Sequence, residues 1–354
     1  MHKHRILGLC AIGLMVTGCP DQAGMIGGPI GSTFATATPV TMDASSRAKL
    51  IAMLTGDKVD VYDLGPMNPG DRINVTVRPT EGSFLDPLTA IFDGNEELFA
   101  LNDDVDFTTG RLDSAIDDVV TAASPRYYLA ITRFAFSDTD GQYQADVEIQ
   151  RGVPLPQPPA QVILLDFDGG SVTIPGEGTI NVDAFDAADI DAAYSGKTAM
   201  IKTTIINVFR DRFSATGLVV ATTDDANLPA DPFSIILFGG FSQTKFGIAE
   251  AVDGGNRDRC DDGIVFTDDF DKPFAQQPSA EGIGTAIGNV AAHEAGHLLG
   301  LNHVADVTDL MDTTGSASTL LAHQIFKTAE LASSIFPFGK QNGVSILARV
   351  IPGP

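Results

Sequence analysis

Apolar and polar residues alternate with a period of two through much of the first 150 residues. Val59-Asp60-Val61-Tyr62-Asp63-Leu64 and Ile73-Asn74-Val75-Thr76-Val77 each place their apolar side chains on one face of a strand. Leu88 to Phe92, Leu98 to Leu101, Tyr127 to Ile131 and Tyr143 to Ile149 read the same way. Turn clusters separate them at Pro66 to Gly70 and at Asp93-Gly94-Asn95. Short strands punctuated by turns predict an antiparallel β-sandwich over residues 36–152.

The pattern changes beyond Val153-Pro154-Leu155-Pro156-Gln157-Pro158-Pro159, whose prolines belong to no helix or central strand. That stretch, 153–159, is the expected boundary of a second domain at 160–354. In it, strands are expected at Gln161 to Phe167, Leu218 to Thr222, Ser234 to Phe238, Gly247 to Val252 and Gly263 to Thr267. Between Lys197 and Phe213, apolar residues recur at helical spacing. A second helix is expected from about Ile283 to Leu299, its first turns weakened by Gly282, Gly284 and Gly288. Leu320, Leu321, His323, Ile325 and Phe326 suggest a later helix packed on it, with His323 not a ligand. Strands and helices in this order predict an α/β domain with a mixed, twisted sheet.

The start of the chain reads differently again. Lys3 and Arg5 precede an apolar run from Ile6 to Val16, shorter than a bilayer span and of the length of a signal-peptide core. Val16-Thr17-Gly18-Cys19 resembles the bacterial lipobox, which implies that residues 1–18 are a signal peptide and that Cys19 carries a lipid. Residues 19–35 are Gly-, Pro-, Thr- and Ala-rich and read as a flexible tether. The expected location is the bacterial envelope, at the outer membrane or cell surface.

The net charge of −24, with 46 acidic and 22 basic residues, argues against nucleic acid as a partner. Cys10 and Cys19 fall in the leader region, so Cys260 is left as an unpaired loop thiol. Asp103, Asp104 and Asp106, with Asp113, Asp117 and Asp118 close behind, could hold calcium or form a solvated loop. The same pair of readings applies to Asp253, Asp258, Asp261, Asp262, Asp268, Asp269 and Asp271.

The sharpest signal is His293-Glu294-Ala295-Gly296-His297-Leu298-Leu299-Gly300-Leu301-Asn302-His303. On a helix, His293 and His297 share one face and can reach one ion. Gly300 can take the positive φ that ends the helix and turns the chain, bringing in His303 as a third ligand. Glu294 is left free to act as base on a metal-bound water. Outside the leader there are four histidines, and three of them lie here. Asp309-Leu310-Met311-Asp312 follows.

Together these residues resemble the metzincin clan of zinc metallopeptidases. The resemblance implies Zn2+ at His293, His297 and His303, Glu294 as general base, and Met311 as an apolar floor beneath the imidazoles. It also implies an edge strand, at Gly247 to Ala251 or its neighbour, that pairs with extended substrate. No tyrosine follows Met311, so the extra tyrosine ligand of astacin-like enzymes is absent, and Val304 matches no familiar family. Asp60-Val61-Tyr62, Gly70-Asp71, Asp86-Pro87-Leu88, Asn102-Asp103-Asp104 and Gly141-Gln142-Tyr143 resemble the bacterial pre-peptidase C-terminal β-sandwich. Such sandwiches usually follow their peptidase, whereas this one precedes it. The expected function is a zinc endopeptidase acting on protein substrates. The alternative is a surface-binding lipoprotein with a silent peptidase fold.

Overall fold

The computed structural model describes residues 30–354 except 106–109, 229, 231 and 272. The expected leader, Cys19 and Asp106 lie outside the described residues. The first unit contains β1 (Thr38–Pro39), β2 (Arg47–Leu54), β3 (Asp60–Met67), β4 (Arg72–Pro79) and β5 (Pro87–Asp93). It continues with β6 (Leu98–Asn102), β7 (Ser114–Val119), β8 (Ser124–Arg133) and β9 (Gly141–Gln150). These form two facing sheets, β1-β3-β8-β5-β6 and β2-β9-β4-β7.

Alternation does what it should in the second of these sheets. Ile73, Val75 and Val77 of β4 and Tyr143, Ala145, Val147 and Ile149 of β9 turn inward, while their neighbours face solvent. Tyr143 donates to Asp60 Oδ2 (2.8 Å), and its hydroxyl also pairs with that of Tyr62 (2.7 Å), while the Lys58 ammonium faces the other Asp60 oxygen.

The other sheet is covered on both faces. Every residue of β5 from Pro87 to Phe92 is buried. Ile91 faces the sandwich interior, whereas Leu88, Ala90 and Phe92 face Leu331 and Phe336 from near the end of the chain. The closing segment of the second unit thus completes the first.

Residues 153–160 carry no regular element. The second unit then builds a five-stranded sheet from β10 (Val162–Asp166), β13 (Val219–Thr222), β14 (Ser234–Phe238), β15 (Gly247–Ala249) and β16 (Asp262–Val265), in the order β13-β10-β14-β16-β15. All neighbours are parallel except β15, which runs antiparallel at the edge. A hairpin, β11 (Gly170–Ile174) with β12 (Gly178–Val182), and a short helix, α1 (Ala187–Ile190), lie between β10 and the main helices. These are α2 (Thr198–Arg212) and α3 (Ala280–Leu298). The chain ends with β17 (Thr328–Glu330), β18 (Lys340–Asn342) and α4 (Gly343–Val350).

Two expectations need correction. Helix α3 begins three residues before Ile283, where the Ser279 hydroxyl accepts from Gly282 N–H at 3.0 Å. Gly284 and Gly288 are contact points rather than weak turns: a Cβ at either would lie 2.7–2.8 Å from Thr204 or Val208 of α2. The glycines let the two helices approach closely. The second correction concerns His323, which lies in no helix. Residues Ala317–Leu321 form a 3-10 turn, and Asn289 of α3 donates to the carbonyls of Leu320 (2.8 Å) and Ala322 (2.9 Å). Those carbonyls are spent on a side chain and support no helical ladder. His323 is exposed beside Asp211, at 3.3 Å.

Candidate zinc centre

Helix α3 is buried along most of its length and carries His293, Glu294 and His297. Its end is set by Gly300 at φ +86°, whose N–H donates to the His297 carbonyl at 2.9 Å. A Cβ there would also meet the Asp253 carbonyl at 2.8 Å, so both backbone angle and space call for glycine. The chain then doubles back and delivers His303.

The three Nε2 atoms converge, separated by 3.1 Å (His293 to His297), 2.9 Å (His297 to His303) and 3.2 Å (His293 to His303). They form the one group of metal-ligating side chains of this kind among the described residues. Two rings have fixed tautomers. His293 Nδ1–H donates to the Leu310 carbonyl and His297 Nδ1–H to the Leu301 carbonyl, each at 2.8 Å. Both Nε2 atoms are therefore lone pairs aimed at one point. Burial holds all three imidazoles below their ordinary pKa, with His293 pushed down to about 4 by burial and by the neighbouring His303. The Nε2 atoms of His293 and His297, 3.1 Å apart, are both lone pairs and have no hydrogen to share. Tetrahedral ligands about 2.0–2.1 Å from a zinc ion stand about 3.3 Å apart, so the donor set fits that ion.

Met311 is fully buried, with its thioether against Gly296 of α3. A Cβ on Gly296 would lie 2.6 Å from its Sδ, so the thioether packs there in the space that a glycine leaves. Asp309 fixes the turn by accepting from Met311 N–H at 2.8 Å, and Val304 N–H donates to the Met311 carbonyl at 3.0 Å. The turn and the third histidine are thus tied to each other.

Glu294 lies on the cavity side of α3, against the edge strand. In β15, the Phe246 carbonyl and Glu250 N–H pair with β16, so Gly247 and Ala249 direct their backbone groups outward. Ala249 N–H donates to the Glu294 carboxylate. Burial pushes the Glu294 carboxyl up to about 8, opposed by that N–H and by Lys245. Gly247 leaves the room it needs, since a Cβ there would lie 2.5 Å from Glu294 Oε1. A cavity of about 350 Å³ opens beside His293 and Glu294, walled by Gly247, Val290, Leu310, Thr313 and Leu320.

The expected acidic groups divide. Asp117 accepts a two-pronged contact from Arg72, and Asp118 lies beside it on β7. In the loop after β15, Ser234 donates to Asp261 Oδ1, while Asp261 Oδ2 and Asn256 Oδ1 are buried without a hydrogen-bond partner. Asn256 escaped the sequence reading because an amide in an Asp-rich loop carries no signal of its own. Asn289 and Gln341 were also unforeseen, since buried amides are recognisable only by what surrounds them.

Residues 244–325 match the family model Peptidase_M10, the matrixins. No curated protein sequence matches the chain. Among solved structures, the sandwich half is similar to the pre-peptidase C-terminal domain of a Bacillus anthracis collagenase, at 15% identity over 32% of this chain and 93% of that one (TM-score 0.24). It is also similar to PliG, a periplasmic inhibitor of g-type lysozyme from Aeromonas hydrophila, at 16% identity over 32% and 95% (TM-score 0.26). The other half is similar to archaemetzincin from Methanopyrus kandleri, at 13% identity over 47% and 87% (TM-score 0.27). All three histidines lie inside the segment of residues 244–325 that matches the matrixins, zinc metallopeptidases of the metzincin clan.

Proposed function

We propose that the protein is an endopeptidase that cuts extended polypeptide outside the cell. The observation that carries this reading is that Glu294 lines one cavity with the zinc-site histidine His293 while bonded to the edge strand at Ala249, whose outer backbone groups face away from β16. Substrate would lie along β15, pairing with Gly247 and with the Ala249 carbonyl, and would direct one side chain into the adjoining cavity. His293, His297 and His303 would hold the zinc, which when bound lowers the pKa of water and polarises the scissile carbonyl. Glu294 takes the proton as water attacks and delivers it to the departing amine. Cleavage of unfolded casein by the wild type, with loss in Glu294→Ala, is the expected result. Equal cleavage by both would remove the proposal.

The division at 153–159 and the lipid at Cys19 complete the proposed arrangement: a peptidase held at the envelope behind its sandwich. No helix among the described residues is long and apolar enough to cross a membrane, and a lipid anchor requires none. Metabolic labelling with a fatty acid, lost in Cys19→Ser, tests the anchor. We also propose calcium in the loop between β15 and β16, where the unpartnered oxygens of Asn256 and Asp261 suit a hard cation. A melting temperature unmoved by calcium would dismiss it.

A further inference from the structure

His303 differs from the other two ligands in how it is held. His293 and His297 stand on a buried helix, and each has its Nδ1–H fixed by a carbonyl. His303 sits on extended chain, and no such carbonyl fixes its ring among the described residues. The nearby Asp312 carboxylate acts on that ring by its charge, while the backbone is held together with that of Asn302 beside it.

That backbone is clamped from β17, β18 and the link between them. Ala332 N–H donates to the His303 carbonyl at 3.0 Å. Gln341, 1% exposed, holds both backbone groups of Asn302: its Oε1 accepts from Asn302 N–H, and its Nε2 donates to the Asn302 carbonyl, each at 2.7 Å. One side-chain amide thus does what a paired strand would do, in a buried place where either group left alone would be costly. The clamp is itself anchored in the sandwich. Lys340 N–H donates to the Glu96 carbonyl at 2.9 Å, and Asn342 Nδ2 donates to Glu97 at 3.0 Å. Phe338, two residues before Lys340, packs edge-on to Phe34 with ring centres 4.9 Å apart. All of these supports lie outside the segment that matches the matrixins.

We propose that Gln341 is a positioning residue for the zinc centre, holding His303 through Asn302, and that the sandwich keeps Gln341 in place through β18. The sandwich would then be a working part of the metal site. This rests on the zinc reading of the three histidines but not on peptide cleavage.

The test is zinc affinity of the full chain, measured by competition with a chromophoric chelator, together with the visible spectrum of the cobalt(II) form. Gln341→Met, similar in length but unable to make both bonds, should raise the zinc dissociation constant about 10–100-fold and alter the cobalt spectrum. Gln341→Glu retains the acceptor for Asn302 N–H and should fall between it and the wild type. It also serves if the methionine variant does not fold. Phe338→Ala, at the sandwich end, should raise the constant several-fold. Folded glutamine variants within twofold of wild type, even with a lowered melting temperature of the metal-free protein, would overturn the positioning role. Weakened binding in Gln341→Met with none in Phe338→Ala would overturn the part given to the sandwich. A wild type that binds zinc tightly but cuts no peptide would count against the endopeptidase reading alone.

Discussion

Glu294 is a carboxyl group placed where its charge is disfavoured and its proton is useful. Without a metal ion, burial pushes its pKa to about 8, and the Ala249 N–H of the edge strand holds the carboxylate in place. Replacing it with Gln preserves size and the Ala249 contact while removing the base. A fall in kcat/KM of about 10²–10⁴-fold, with zinc content unchanged, is expected from steady-state kinetics and metal analysis. Gly247→Ala tests the same carboxylate from outside. The new Cβ would lie 2.5 Å from Oε1, so the side chain must move. A displacement near 1 Å can cost about 100-fold, and a drop in kcat approaching that size with little change in melting temperature is the expected outcome. At this scale the sequence was informative wherever chemistry fixes spacing. His293, Glu294, His297, Gly300, His303 and Met311 are legible because ligand geometry leaves them few alternatives. Gly247 and Asn289 were not, because their importance lies in partners thirty residues or more away along the chain.

Among the elements, α2 and strands β4, β5, β6, β10 and β14 follow from periodicity to within a residue or two, whereas β2, β7, the hairpin β11–β12 and the pair β17–β18 were not foreseen. Local pattern is least informative where tertiary contacts replace local ones. Glycines in α3 weaken an isolated helix but allow α2 to pack against it, so propensity and packing point in opposite directions. The loop joining β15 to β16 is governed by charge instead. Burial pushes Asp261 up to about 7, with repulsion from Asp253, Asp258 and Glu250 opposing the Ser234 hydrogen bond. An unfolded aspartate releases its proton near 3.8, so between that value and about 7 the folded state binds the proton more tightly. Stability should therefore fall as pH rises through this window and change no further above it. In calcium-free buffer, Asp261→Asn should flatten that slope and melt above the wild type at pH 8. The gain should be on the order of a few kcal/mol. Calcium added to the wild type at pH 8 should close the gap if the loop takes the ion.

The molecule as a whole is less divisible than its sequence suggests. Prolines at 154, 156, 158 and 159 mark a boundary along the chain, but Leu331 and Phe336 cross back to cover the outer face of β5. Arg349 of α4 adds a contact to β6, stacking on Phe99 at 4.6 Å and donating to its carbonyl. Local pattern could not reveal this. The apolar residues of β5 look the same whether they face the sandwich interior or a distant part of the chain. Phe336→Ala should cost about 3–5 kcal/mol, since the ring is fully buried between Phe92 and Phe338. Calorimetry of the wild type should show one cooperative transition for both units. Two well-separated transitions would mean that the shared aromatic cluster contributes little to stability.

The double covering of β5 also governs what a protease could do to this protein. Residues 154–157 are exposed and carry no regular element, which makes them an accessible place for a cut. A cut there would sever the covalent connection while leaving Phe92, Phe336 and Phe338 in contact. The product would be a nicked protein, two fragments on a denaturing gel and one particle on a sizing column, with its zinc centre still assembled.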